Sequence, residues 1–504
     1  MTTATSALTE LHDILGEVSD LNRAAAVLGW DQETHMPPGG VESRAQQLST
    51  LRRLAHRRFT SDEVDRLLEE AAAETQGSAY DSNPASLVRV TRREYEQARK
   101  LDSELVSEIT RASAMAQPAW VRARQESRWE LFAPHLERNV ELNRRVADAL
   151  GYQTRPYDAL LNRIEPGMTA AKLEDLFAQI KAVVVPLVAA IAASPGAPGP
   201  ESHYEIGHDA QVAFAERIVQ RLGYDMSRGR QDISTHPFCT SFGPGDVRIT
   251  TRARTGRIWD CLYGSIHESG HAMYNQGIGV DLDRTPLWGG ATSGVHESQS
   301  RLWENLIGRS RAFASFLAPE LAAAFPEVYG EWDGERLYRE INRVEPSLIR
   351  VEADELTYNL HIMLRFELEN EMLEGRLAVA DVPEAWRAKM RAYLGVVPED
   401  DRTGCLQDIH WTGGSFAGFP SYALGNLIGA QLMEVVRRDL PDLDVAVAAG
   451  DFAPLLGWLR DRVHRVGRKF TPDELLERVT GRGLTAQPWI DYVSAKYGAL
   501  YSLA

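Results

Sequence analysis

Apolar residues recur along most of this chain every three or four positions, the period of a helix that buries one face. Ser6 to Ala26 sets the pattern, with Leu8, Leu11, Ile14, Leu15 and Val18 on one side. Trp30 to Gly40, which ends in Pro37-Pro38-Gly39-Gly40, predicts a break. Val41 to Ala73 reads as helix again, rich in Arg, Leu and Glu. A second break near Gly77 to Pro84 precedes long helices to about Leu150. Lys172 to Ala193 predicts another helix, closed by the loop Ser194-Pro195-Gly196-Ala197-Pro198-Gly199-Pro200. The period changes to two only around Gly243-Pro244-Gly245, where Thr240-Ser241-Phe242 and Val247 to Thr251 predict a short hairpin. After His296 the helical pattern returns. Asp381 stands before a helix start at Val382-Pro383-Glu384, and Thr471-Pro472-Asp473-Glu474 is a capping box with proline in the first turn. No internal repeat or low-complexity linker interrupts the chain. The fold class expected is mainly α, one large helical body with a small sheet.

One stretch departs from this pattern of wet and dry faces. Between Asp260 and Asp281 the only charged residue is Glu268, so a helix here is apolar or small nearly all round and should be buried. It carries His267-Glu268-Ser269-Gly270-His271. Histidines four apart lie one turn apart on one face, so both imidazoles can reach one tetrahedral metal ion. Glu268, turned about 100° from His267, can reach a water at the metal without binding the metal, as a zinc hydrolase's general base does. Two imidazoles and a carboxylate in a buried helix need partners, and a cation supplies them. A third ligand must come from elsewhere. The loop Gly277 to Val295 leads into a new helix at Val295-His296-Glu297-Ser298, where Glu297, 26 residues after His271, is the candidate. His296 beside it competes for the same role. Glu304, seven residues further on, is placed to hold a ligand histidine as an outer acceptor.

Composition narrows the setting. The chain has 504 residues, 55 basic against 71 acidic, for a net charge of −16, which argues against generic nucleic-acid binding. Met1 to Asp20 has acidic residues where a signal peptide needs a basic and then an apolar region. The longest apolar run, Ala182 to Ala193, contains Pro186 and is too short to span a membrane. Three cysteines, Cys239, Cys261 and Cys405, imply no disulfide framework. The expectation is a cytoplasmic protein without nucleic-acid or membrane partners.

Polar clusters flank the histidine helix on both sides. They are His236-Pro237-Phe238, Asp246-Val247-Arg248-Ile249-Thr250, Ile349-Arg350-Val351-Glu352-Ala353-Asp354 and Gly404-Cys405-Leu406-Gln407-Asp408-Ile409-His410-Trp411. Asp408 is the only charge between Arg402 and Glu434, which places Asp408 and His410 in a buried pocket. With Trp30-Asp31 and Met36-Pro37, these motifs in this order resemble the carboxypeptidase Taq family of zinc metallopeptidases over nearly the whole chain. The resemblance implies a helical, saddle-like fold with a deep groove and a small sheet beside the zinc helix. It implies one domain over residues 1–504, with N-terminal helices to about 200, a site core of about 230–430 and C-terminal helices from about 431. It also implies release of single C-terminal residues from peptides with a free C-terminus, zinc or cobalt, and a homodimer. Carried over, His267, His271 and Glu297 are the metal ligands and Glu268 the base. His236, Arg248, Arg350 and His410 are implied to line the substrate groove, with Gln407 a further substrate-binding candidate, and Tyr422 or His410 is the candidate to stabilise the oxyanion. The family carries Gly-Tyr where this chain has Ala417-Gly418, so an oxyanion-binding tyrosine is absent at that point. On residue type alone, His236 could be purely structural, Arg248 could pair with Asp246, and Arg350 with Asp354. The rival activities are a zinc endo-oligopeptidase with the same machinery and a non-catalytic zinc-binding scaffold. Glu268 argues against the scaffold, since a structural site has no use for a base.

Overall fold

The computed structural model describes residues 6–194 and 204–503. Helices dominate, and a single three-stranded sheet is present among these residues. The first helix, α1 (Ala7–Thr34), is capped by Ser6 and runs eight residues past its expected end at Ala26. Nothing from Trp30 to Thr34 breaks a helix: Trp30 is buried, the Thr34 hydroxyl donates to its carbonyl at 2.7 Å, and the chain turns only before Pro37. The second expected helix is two, α2 (Val41–Phe59) and Asp62–Glu74. Ser61 is extended there, and Asp62, Glu63 and Asp65 favour a new helix N-terminus. The break before Asn83, the helix ending at Leu150 and the capping box at Thr471 are as expected. The loop after Ser194 lies, from Pro195 onward, outside the described residues.

Helix Ala170–Ala192 starts two residues before its expected first residue and is long and apolar enough to cross a membrane, with mean hydropathy 1.8. It buries Leu173, Phe177, Ile180, Val184, Val188 and Ile191 at helical spacing against the protein, the one-sided pattern of a helix facing a core.

The hairpin forms as β2 (Cys239–Gly243) and β3 (Asp246–Thr251), antiparallel, with Thr240 opposite Arg248 and an irregularity between Ser241 and Gly243. The sequence pattern missed β1 (Gln231–Ile233), which pairs parallel to β3 on its other side, so that β2 is an edge. Three residues are too few to show a period. Packed on this sheet is α3 (Ile258–Gly277), followed by α4 (Ser293–Arg301), α5 (Tyr358–Leu373) and α6 (Pro420–Asp439). Two glycines let these helices approach closely. A Cβ on Gly270 would lie 2.7 Å from Ser300 Cα, and one on Gly425 would lie 2.7 Å from Glu297 Cβ. The backbones of α3 and α6 therefore press directly against α4.

Candidate metal centre

Helix α3 is buried almost all round, as its lack of charge requires. From Ile258 to Gln276, the residues that keep some exposure include Asp260, Gly264, His267 and His271, a stripe at helical spacing that faces the site. Helix α4 begins at the Thr292 cap and brings Glu297 opposite that stripe. Glu297 Oε2 lies 3.8 Å from His267 Nε2 and 3.5 Å from His271 Nε2. Metal–ligand bonds of about 2.0–2.1 Å put neighbouring donors of a tetrahedron roughly 3.3–3.4 Å apart. Two imidazole nitrogens and one carboxylate oxygen at these separations fit a divalent ion with a fourth position left open. Among the described residues, these three are the group able to hold a metal.

The far side of each ligand is tied down. His267 Nδ1 meets Glu304 Oε2 at 2.8 Å, the role foreseen for Glu304, which turns Nε2 to the site. Glu304 lies on a π-helical turn, Leu302–Ile307, that continues α4. Arg301 donates at 2.8 Å to Glu297 Oε1 and at 3.1 Å to Glu304 Oε2, with its guanidinium 4.2 Å from the centre of the Tyr358 ring. Glu297 is thus left with one free oxygen for a metal. Sequence reasoning missed Arg301. Its spacing, four after Glu297 and three before Glu304, was the available signal.

His296 is not the third ligand. Its Nδ1 lies 2.5 Å from His271 Nδ1, and its Nε2 lies 3.1 Å from Asn275 Oδ1. With Asn275 accepting from Nε2–H, His296 Nδ1 is an acceptor, His271 donates to it, and the lone pair of His271 Nε2 is left free on the side of Glu297. Burial holds His296 well below its ordinary pKa, so the neutral form required is the one present. His296→Leu should therefore weaken metal binding by roughly 10–100-fold, the usual loss when such a supporting group is removed. His296→Asn, which can place an oxygen near the lost Nδ1, should recover most of it. Chelator competition measures both.

The charges match a cation. Burial alone would raise Glu297, but Arg301, His267 and His271 hold it far below the carboxylate range. Burial would lower His267, yet Glu297 and Glu304 lift it to about 9, the mark of a position that favours positive charge. Glu268 is buried and makes no hydrogen bond among the described residues. Burial raises its pKa above the ordinary carboxylate value, only partly opposed by the two histidines.

A second cluster lies beyond Tyr358. Arg350 reaches Asp408 Oδ1 at 2.9 Å and Arg365 reaches Oδ2 at 2.5 Å, so two guanidiniums share one carboxylate and the cluster carries a net positive charge. Arg350 also donates to the Tyr358 hydroxyl at 3.1 Å and faces the Tyr422 and Phe419 rings. Asp408 is accordingly buried, as expected, and well below its ordinary pKa: burial opposes this, but Arg365 and Arg350 outweigh it. The pairing of Arg350 with Asp354 does not form. Arg350 lies on a single 3₁₀ turn followed by extended Ala353, so residues four apart share no face, and Asp354 instead caps Leu356 and Thr357.

His410 Nε2 is 3.3 Å from the Tyr422 hydroxyl, and its ring stacks on Phe419 at 4.4 Å. Burial lowers His410 to about 4, and Tyr422 is pushed above the ordinary phenol range, so a neutral imidazole faces a protonated phenol. The Ala417-Gly418 segment places no side chain here. Ala417 has φ 64° and donates its N–H to Glu369, while a Cβ on Gly418 would meet nothing within 4 Å. Glu369 also accepts from Tyr157 and Trp411, anchoring the loop that carries His410.

The remaining residues expected to bind substrate have other contacts. Arg248 makes a two-point ion pair with Asp246 at 2.8 and 2.7 Å between the Trp30 and Phe242 rings, joining α1 to the sheet. Gln407 donates to the carbonyls of Leu348, Thr403 and Gly404 and accepts from Arg350 N, so its amide shapes the loop. His236 is exposed, and its carbonyl accepts from Ser234.

Comparison with known proteins adds to this geometry. The family profile described as carboxypeptidase Taq (M32) metallopeptidase matches residues 10–497. Thermostable carboxypeptidase 1 of Thermus thermophilus is 40% identical over 510 residues, covering 99% of this chain and 100% of the relative. Among solved structures, the M32 carboxypeptidase of Deinococcus radiodurans is 41% identical with a TM-score of 0.95, covering 98% of this chain and 99% of its own. A Pyrococcus furiosus carboxypeptidase is 34% identical with a TM-score of 0.94, covering 99% and 100%.

Proposed function

Because the chain belongs to the carboxypeptidase Taq (M32) metallopeptidase family, and is therefore a metallocarboxypeptidase acting on peptides, we propose that its divalent metal is zinc and that Glu268 is its general base. The observation that carries this reading is the convergence of His267, His271 and Glu297 beside a buried carboxylate that makes no hydrogen bond among the described residues. Cobalt, which accepts the same donors, is the alternative ion.

The ion supplies Lewis acidity, polarising the scissile carbonyl and making water at the site more acidic. Glu268 takes the proton of the attacking water and delivers it to the leaving nitrogen. Tyr422, protonated and beside His410, donates to the developing oxyanion in place of the tyrosine absent at 417–418. Such a donor contributes about 3 kcal/mol elsewhere. Arg350 receives the substrate's terminal carboxylate. Its cluster has one positive charge in excess, and a guanidinium fork matches a carboxylate at two points. In this reading Arg248 and Gln407 brace the sheet and the Arg350 loop. The same reading includes a homodimer and a cytoplasmic setting. Three free cysteines suit a reducing compartment.

The test compares peptides with free and amidated C-termini, by mass spectrometry of a peptide-library digest and by rates for Arg350→Ala. Truncating one partner of a buried charge pair costs about 2–5 kcal/mol, so cleavage of free peptides should fall at least roughly 30-fold. Residual cleavage of amidated peptides should change little. Equal losses on both, or wild-type cleavage of amidated peptides as fast as free ones, would favour the endo-oligopeptidase.

A further inference from the structure

A second cavity, of about 550 Å³, lies between the N-terminal helices and the segment joining α3 to α4. This is the size of a pocket for a small ligand or a peptide side chain. Leu15 and Val18 of α1 and Ala55 and Phe59 of α2 make its apolar wall; Pro286 and Trp288 close it from the core side. Arg23, Arg52, Arg468 and Glu94 also line it. Two of these cations are neutralised: Arg23 pairs with Asp283 at 2.6 Å, and Arg468 with Glu94 at 2.5 Å. Arg52 is exposed and has no anionic partner among the described residues. An apolar wall beside one unpaired cation matches a short carbon stem that ends in a carboxylate.

Strand β2 connects this cavity to the metal centre. Cys239, its first residue, hydrogen-bonds Asn275 on α3 and lies within electrostatic reach of Glu268. Ser241, two residues along and on the same face of the strand, lines the cavity. A strand advances roughly 7 Å over two residues. Arg350 is reached from the other ligand, by way of Glu297, Arg301 and Tyr358. A peptide whose C-terminal carboxylate meets Arg350 and whose scissile carbonyl lies at the metal therefore directs its preceding residues toward Ser241.

We propose that this cavity is a subsite for a side chain two or three residues before the scissile bond, and that Arg52 makes it select Asp and Glu. The proposal rests on the metallocarboxypeptidase reading with Arg350 as the terminal anchor.

The metal-loaded enzyme is to be assayed on acetylated pentapeptides that differ only at that position, carrying Glu, Gln or Lys. At low ionic strength kcat/KM should favour Glu over Lys by roughly three- to ten-fold, the effect of gaining rather than opposing exposed ion-pair contacts. Added salt should shrink that ratio. Arg52→Glu should invert it. Equal wild-type rates for Glu and Lys would overturn the proposal, as would an Arg52→Glu enzyme that keeps the wild-type ratio. If none of the peptides is trimmed from the C-terminus, whatever the residue, the reading of the site itself fails and the proposal with it. That outcome is distinct from trimming without selectivity.

Discussion

Glu268→Gln is expected to keep its metal and to lose turnover by several orders of magnitude. General-base assistance alone accounts for about 10²–10⁴-fold, and in the proposed mechanism the same group also positions the attacking water. The substitution preserves shape and removes the proton acceptor. It also removes a buried charge that makes no hydrogen bond among the described residues, so the fold should not suffer. Metal content by elemental analysis should equal that of the wild type while kcat falls and KM changes little. A variant retaining most of its activity would mean that another group takes the proton. His410, neutral at physiological pH and beside Tyr422, would be the first to examine.

His271→Ala should abolish activity by a different route, through loss of the metal itself. Its Nε2 is one of three converging donors, and the two that remain cannot enclose an ion. The loss of affinity should exceed the roughly 10–100-fold expected when only a supporting group is removed. Because a metal that binds only the folded state stabilises it by mass action, zinc should raise the thermal midpoint of the metal-free wild type and leave His271→Ala unmoved. Glu297 remains paired with Arg301 in the variant, so the protein should still fold. A full complement of metal in His271→Ala would remove the proposed ligand set.

What could be read from the sequence was local. Two histidines four apart on a nearly charge-free helix, a carboxylate at the start of the next helix, and Glu304 behind His267 all follow from helical spacing. What could not be read depended on contacts between distant residues or on ring orientation. Arg350 and Asp408 are 58 residues apart in sequence, and no periodicity links them. The i, i+4 pairing of Arg350 with Asp354 presumed a helix where the backbone makes one 3₁₀ turn and then extends. His296 and Glu297 are neighbours with similar claims as ligands; only the direction of the imidazole, toward Asn275 and His271, separates their roles. The extension of α1 through Trp30 to Thr34 was hidden because the nearby prolines and glycines suggested an earlier stop.

The proposed chemistry requires a metal ion held by His267, His271 and Glu297. The most direct test is an X-ray structure of the zinc-loaded protein, with diffraction recorded on both sides of the zinc absorption edge. One anomalous peak per chain is expected, about 2.0–2.2 Å from His267 Nε2, His271 Nε2 and Glu297 Oε2, with His296 turned away toward Asn275. A peak bound by His296 instead of Glu297, or no peak between the two helices, would contradict it.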